Sequence, residues 1–539
     1  MYVGGEVVDV NHEVPSRYEA LAQRGSVMDM PTYSGDPLTP FIGATKDAVR
    51  LPREKAATIM KIPVLPIAWG DALPLLKALG GTVAPPQFRG GLPITYHIGP
   101  GPATVHLKLE FDWKLAPAYD VIARMPGSEL ADEWVLRGNH HDGWVFGAED
   151  PLSGLVPMME EARAVAELVK TGWKPKRTIM YLAWDGEEPS LLGSTEWAEQ
   201  HAAELQKHAV AYINTDGSSR GFIELGGTHT LEHFANEAGR DVIDPERKVS
   251  AMDRYRARMA ARGGADEKKK AHDRGDIAIS PLGSGSDFTP FLQHLGIAAL
   301  NIGFGGEGAG GGAYHSIYDS YDHFIKFNDP DFQYELALAQ LSGRMTMRLA
   351  DADSLPFRFD GFVRAVGSYI DEIAKLADTM RSETVEFNRS LADHSFELAA
   401  DPLTPYVAPA PKVEVPHLNF APLRNALAKL EKSAKSFRDR EGKANTLSLE
   451  TRKSLDQALM QCDRVLLRPE GLPRRPWYRH QIYAPGYYTG YGVKTIPGVR
   501  EAVEERRWAE FDQQVTAAAQ SLEDMAKQID RATTLLAGN

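Results

Sequence analysis

Three apolar runs, each ending in acids or a histidine, constrain this chain more than any other feature of its 539 residues. Trp134-Val-Leu-Arg137 leads into Gly138-Asn-His-His-Asp-Gly-Trp-Val-Phe-Gly-Ala-Glu-Asp150. Thr178-Ile-Met-Tyr-Leu-Ala-Trp184 ends in Asp185-Gly-Glu-Glu188, and Val210-Ala-Tyr-Ile-Asn214 ends in Asp216. Nearly continuous apolar runs belong to strands covered on both faces. A helix over residues 158–170 falls between the first two, so the expected sheet is mostly parallel. Open α/β sheets keep their sites beyond the carboxyl ends of the strands, which is where these polar clusters stand.

Composition then narrows the chemistry. Hydrophobic content of 43% and charged content of 25% describe an ordinary globular protein, and the length asks for two or three domains. A net charge of −13 argues against a nucleic-acid partner, whose phosphates want a basic face. Cys462 is the only cysteine, so a disulfide within the chain and a thiolate metal cluster are both excluded. Any metal must be held by His, Asp and Glu. No apolar run reaches the length of a membrane span. Met1-Tyr-Val-Gly-Gly-Glu6 has neither part of a secretion signal, which leaves a cytoplasmic protein or one whose leader is not in this sequence.

Three parts are expected. Residues 1–104, rich in Pro and Gly, read as a small loop-rich β/α region. A helix there is capped by Asp71 and ended by Gly80-Gly81, and Gly99-Pro-Gly-Pro102 marks a boundary. Residues 105–354 alternate strands and helices, beginning with a half-buried strand over 105–111 and carrying a solvated charged insertion at 246–275. Residues 355–539 read as a bundle of about four helices, over 362–380, 423–437, 455–466 and 508–536, with apolar seams in steps of three and four.

Chemistry gathers at the strand ends. His140, Asp150, Glu188, Asp216 and His315 are five hard or borderline ligands from five segments, His315 following the glycine-rich run 305–312. Two histidines with three carboxylates suit a pair of zinc ions, one carboxylate bridging. Asp142 is placed to take the second ring N–H of His140. Glu187, beside Glu188, faces the water as general base. Tyr314 donates to the developing oxyanion, and Ser284, Gly285 and Ser286 line the substrate side of the cleft. Taken singly, each cluster is an ordinary polar turn or helix start. His12, His106, His294 and His323 have no such context and are taken as surface or structural.

At this point the sequence resembles glutamate carboxypeptidase II and its transferrin-receptor-like relatives. The resemblance rests on His140-His-Asp-Gly-Trp-Val-Phe-Gly-Ala-Glu-Asp150, Trp184-Asp-Gly-Glu-Glu188, Leu192-Gly-Ser-Thr-Glu-Trp197, Ala211-Tyr-Ile-Asn-Thr-Asp216, Leu282-Gly-Ser-Gly-Ser-Asp-Phe288 and Tyr314-His-Ser316. It implies a zinc-exopeptidase α/β domain with a mostly parallel mixed sheet, a partial apical (protease-associated) β/α domain, and a C-terminal helical domain that makes a homodimer. One zinc falls to His315 and Glu188 and the other to His140 and Asp216, with Asp150 bridging and Glu187 as base. Glu196 and Glu199, with backbone near Thr39 and Ile42, match a structural calcium site, Ile42 replacing a tyrosine. The family pattern also implies that the chain opens inside the apical domain, and that such proteins lie outside the cytoplasm.

The departures concern specificity. A lysine that holds a terminal glutamate is replaced by Gly490, next to Tyr491, and an apical asparagine by Ser26. An arginine patch for acidic residues falls on Asn301, Gly303 and Gly226. A buried site without cations should reject acidic side chains. The expected function is therefore a di-zinc exopeptidase for neutral or apolar residues. The alternatives are an aminopeptidase or N-acyl amino acid amidohydrolase on the same metals, and a receptor-like dimeric scaffold.

Overall fold

The computed structural model describes residues 18–273, 275–307, 313–403 and 406–537. His12 lies outside them, as does most of the glycine-rich run 305–312. Six strands form the central sheet: β1 (Val121–Met125), β2 (Leu130–His140), β3 (Arg177–Trp184), β4 (Ala209–Asn214), β5 (Gly221–Gly227) and β6 (Ala299–Gly306). Their order across the sheet is β1-β3-β2-β4-β6-β5. The four inner strands run parallel, and β1 and β5 close the edges antiparallel. This is the mostly parallel mixed sheet expected.

Every residue of β4, and all but one of β3, is buried, as strands covered on both faces require. Helices Leu152–Lys170 and Gln333–Asp351 supply cover. From β2 the chain moves to β3 on one side, then returns to β4 on the other. The crevice between the carboxyl ends of β2 and β4 is therefore the topological switch point, where an α/β sheet leaves room for ligands.

The C-terminal region contains the expected long helices: Asp360–Ala392, Ala421–Arg438, Leu449–Arg464 and Trp508–Ala537. Their seams share one continuous apolar core with the sheet. Buried Arg177 ties the two regions by pairing with Glu133 at 2.6 Å and Asp456 at 2.5 Å. The charged insertion forms helices Ala251–Arg262 and Ala265–His272.

Two local expectations fail. Residues 105–111 form no strand; Val105, Leu107 and Phe111 are exposed, because β1 already occupies the adjoining sheet edge and no strand offers a ladder. Asp71 does not cap its helix, which starts earlier and runs Trp69–Lys77. The carboxylate sits instead in the first turn, where it complements the positive helix end. Among the described residues, no helix is long and apolar enough to cross a membrane.

Candidate metal centre

β2 ends on His140, buried at the switch point. Its Nδ1 lies 3.0 Å from the carbonyl oxygen of Asp142 and 3.4 Å from that residue's Oδ1. A carbonyl only accepts, so Nδ1 carries the proton and Nε2 is left as the free ligand atom. His315 is fixed the same way, with Nδ1 3.1 Å from the carbonyl oxygen of Arg24. Its φ of 53° lies in the left-handed region, a cost tolerated where the surrounding structure over-determines a residue.

Asp150 stands between the two imidazoles. Its Oδ1 is 3.2 Å from Nε2 of His140, and its Oδ2 is 3.3 Å from Nε2 of His315. Glu188 Oε2 completes one group at 3.1 Å from the same His315 nitrogen. The ligand atoms of Asp150, Glu188 and His315 all lie within 4.8 Å of one another. On the other side, Asp216 Oδ1 and Glu187 Oε2 each lie 3.9 Å from Nε2 of His140.

Asp142 does more than orient an imidazole. Its carboxylate accepts the N–H groups of Glu187 at 3.0 Å and Glu188 at 3.2 Å, fixing the short helix Glu187–Ser190 that carries both acids. Three supports went unseen in the sequence: the Arg24 carbonyl; the Trp144 N–H, which donates to Glu188 Oε1 at 3.1 Å; and Asp319, which accepts from the N–H groups of Glu149 and Asp150 at 2.6 and 3.1 Å. Backbone donors and acceptors leave no residue-type signal. Asp319 had only its closeness to His315 in sequence.

Electrostatics explain why cations fit. Burial raises the carboxyls of Glu187, Glu188 and Asp216, with Glu187 well above its ordinary range. Asp287 behind them is pushed up by burial to about 8. Burial would raise Asp150 too, but the two imidazoles on its oxygens hold it well below the usual carboxylate range. Burial disfavours charge on His315, yet its bonds to Asp150 and Glu188 win and lift it to about 9. The surrounding acids thus demand positive charge, which divalent cations at Nε2 of the imidazoles would supply. Imidazole and carboxylate donors suit zinc.

The substrate-side residues divide. Ser26, Gly285, Tyr314 and Tyr491 line a cavity of about 400 Å³ that contains the ligand set. Tyr314 stacks on His315 with ring centroids 3.6 Å apart. Gly285 has φ +94°, and a Cβ there would stand 2.6 Å from the Tyr491 ring, so only glycine lets that ring close over the site. The Ser26 hydroxyl is turned to the carbonyls of Glu188 and Pro189. Three others are not on the cavity wall. Ser286 donates to Asp216 Oδ1 at 2.7 Å, Asn301 accepts from Asn214 at 3.0 Å, and Ser284 donates its N–H to the Tyr491 carbonyl at 3.1 Å. These serve the ligands and the Tyr491 loop because β4 and β6 pair directly behind the metal centre.

The second cluster also assembles. Glu196 accepts from the Asp36 N–H at 2.6 Å and the Thr39 hydroxyl at 3.1 Å. Glu199 Oε1 accepts from the Phe41 N–H at 2.8 Å and Trp477 Nε1 at 2.7 Å, while the Ile42 N–H donates to the Thr39 carbonyl at 3.2 Å. The Ile42 side chain itself points outward. Burial, with repulsion from Glu199, pushes Glu196 to about 8; burial pushes Glu199 to about 7. Glu199 Oε2 is buried without a partner, an oxygen suited to a hard cation such as calcium.

Residues 120–331 match the description of peptidase family M28. This segment belongs to that family. Residues 418–530 match the transferrin receptor-like dimerisation domain. The chain is 33% identical to the "Probable glutamate carboxypeptidase LAMP1" of Arabidopsis thaliana, over 88% of this chain and 61% of that one. It is 30% identical to "Aminopeptidase NAALADL1" of Mus musculus, over 94% of this chain and 65% of that one. The chain thus spans somewhat under two thirds of these relatives' length. The solved zinc aminopeptidase BSAP of Bacillus subtilis matches at 19% identity and a TM-score of 0.31, over 43% of this chain and 50% of that one.

Proposed function

We propose that this M28 protein is a zinc-dependent exopeptidase that cleaves small peptides lacking acidic residues at the site. One observation carries the reading: the two oxygens of Asp150 face the free nitrogens of His140 and His315. That arrangement suits two zinc ions sharing Asp150, one also held by His315 and Glu188, the other by His140 and Asp216. When bound, zinc supplies a Lewis acid at the scissile carbonyl and makes water acidic enough to be deprotonated near neutral pH.

The chain's own groups do the rest. Glu187 borders the ligand set without completing either group, so its carboxylate is the base that takes the water's proton as the new C–O bond forms. It returns that proton to the leaving nitrogen as the C–N bond breaks. The Tyr314 hydroxyl, on the cavity wall, donates to the carbonyl oxygen as negative charge grows there. Among the described residues, none that lines the cavity is Lys or Arg, and Glu149, Glu224 and Glu307 line it besides the ligands and Glu187, which disfavours acidic substrates.

The dimerisation segment supports a homodimer through the C-terminal helices, within a three-part chain divided near 104 and 354. Glu196 and Glu199, with Thr39 and the backbone of Ile42, form the calcium site of the same reading. Zinc-loaded protein should cleave Ala-Leu faster than Asp-Glu, retain its metal but lose turnover in Glu187→Gln, and lose turnover under chelation. Faster Asp-Glu cleavage would overturn the specificity, and a protein that holds no zinc would be a scaffold. N-acetylated peptides tell the aminopeptidase reading, which the name of the mouse relative favours, from carboxypeptidase cleavage.

A further inference from the structure

The cavity continues past the metal ligands to the edge pair β5–β6, where Glu224, Gly305, Gly306 and Glu307 line it. Three carboxylates other than the ligands and Glu187 line this cavity, and two of them are matched. Glu307 pairs with Arg254 at 2.8 Å and stands 3.7 Å from Arg220. Glu149 accepts from Asn328 Nδ2 at 2.6 Å.

Glu224 is different. Among the described residues it has neither a hydrogen-bond nor an ion-pair partner. Glu224 is exposed to the cavity rather than buried in the wall; its surroundings raise its carboxyl, and among the described residues the charge that opposes this is Arg258. That guanidinium lies over the Phe222 ring at 5.0 Å and makes no ion pair with Glu224. The sheet leaves the carboxylate uncovered. Glu224 faces Gly303 across the β5–β6 ladder, and a Cβ on Gly305 would stand 3.1 Å from its Oε1. Glycine at both positions keeps the approach to the carboxylate open. Phe327, which is exposed, also lines the cavity and offers apolar surface to a methylene chain.

A carboxylate that is unmatched and open to a substrate cavity is satisfied by a cation arriving with the ligand. We propose that Glu224 is a specificity-determining residue that binds an ammonium or guanidinium group of the substrate at the β5–β6 end of the cavity. The group can come from a basic side chain or from a free α-amine. Calling its bearer a peptide rests on the peptidase reading; the cation preference does not.

Calorimetry on the full zinc-loaded chain tests this with three amino-acid probes, whose recovery intact is checked after each titration. L-norleucine offers only the α-amine, Nα-acetyl-L-lysine only the side-chain amine, and N-acetyl-L-norleucine neither. At least one amine-bearing probe should bind about tenfold or more tightly than N-acetyl-L-norleucine, the weight of one charge-assisted hydrogen bond. The favoured probe names the source of the cation. In Glu224→Gln, which keeps size and removes charge at a solvent-reached position, the difference should fall below about twofold. In Glu224→Arg the amine preference should vanish and Nα-acetyl-L-glutamate should gain. Equal binding of all three probes by the unsubstituted protein, or a preference that survives Glu224→Gln, would overturn the proposal. Cleavage of Lys-Leu and Ala-Leu is followed separately. Failure to cleave either would sink the peptidase reading while leaving the binding result to stand or fall alone.

Discussion

Ser286 donates its hydroxyl to Oδ1 of Asp216 across 2.7 Å, and the same hydroxyl accepts from Asn214 at 2.7 Å. The ligand carboxylate is thereby aimed by a serine seventy positions away in sequence. Groups of this kind orient ligands, and their loss weakens metal affinity by about 10–100-fold. Ser286→Ala should show that loss in competition with a zinc chelator while its unfolding midpoint stays near that of the unsubstituted protein. Ser286→Thr, which keeps the hydroxyl, should restore affinity; equal affinity in all three proteins would remove Ser286 from the metal's support.

Gly154 occupies the first turn of helix Leu152–Lys170 where that turn meets the Asp216 loop. A Cβ there would lie 1.9 Å from the Asp216 carbonyl oxygen and 2.4 Å from Asn139 Oδ1. Gly154→Ala must move the loop or the helix. It should destabilise the chain by about 1–3 kcal/mol in denaturant titration and weaken zinc binding as well. A stable variant with full metal content would show that the contact is easily relieved.

Glu199 offers a cleaner test of the second cation. Glutamine keeps the Oε1 that accepts from Phe41 and Trp477, but puts an amide where the unpartnered Oε2 now sits. Calcium added to the zinc-loaded protein should raise its melting temperature, by about 3 kcal/mol of stabilisation at a hundredfold excess over Kd. Glu199→Gln should melt at a calcium-independent temperature. A calcium response that survives the substitution would place the ion elsewhere.

Acid should loosen the region where the C-terminal loop meets the sheet. Burial holds His294 at about 4 and His480 at about 3. His294 stacks on Trp477 at 4.6 Å and donates from Nδ1 to its carbonyl at 2.8 Å. The unfolded chain binds more protons between these values and the ordinary 6.5, so the contribution is full above 6.5 and falls as pH drops toward 4. At pH 5 the loss amounts to about 2 kcal/mol for one such histidine. His294→Asn keeps a donor for the Trp477 carbonyl and removes the titration. Between pH 7 and 5 it should lose about that much less stability than the parent; an equal loss would acquit His294.

Three of the residues proposed to carry chemistry could be read because each ends or closely follows a strand whose apolar run cannot be mistaken. His140, Glu188 and Asp216 end β2, β3 and β4 or follow them within four positions, so strand register alone carries them to one sheet edge. The long helices were legible for the same kind of reason, since steps of three and four demand one covered face. Residues 105–111 misled because alternation describes what a strand needs, and no neighbour was there to pair with it. Ser286 and Asn301 misled because a position near the site does not say which way its side chain turns.

The sequence by itself determined strands β2, β3 and β4, the helical region and the residue types offered at those strand ends, since periodicity and residue chemistry are local properties. Only the tertiary structure decided that Asp150 faces both imidazoles, that backbone carbonyls of Asp142 and Arg24 select their tautomers, and that Glu224 stands unmatched in the cavity. Those outcomes depend on distances between segments far apart in the chain, and folding alone sets such distances.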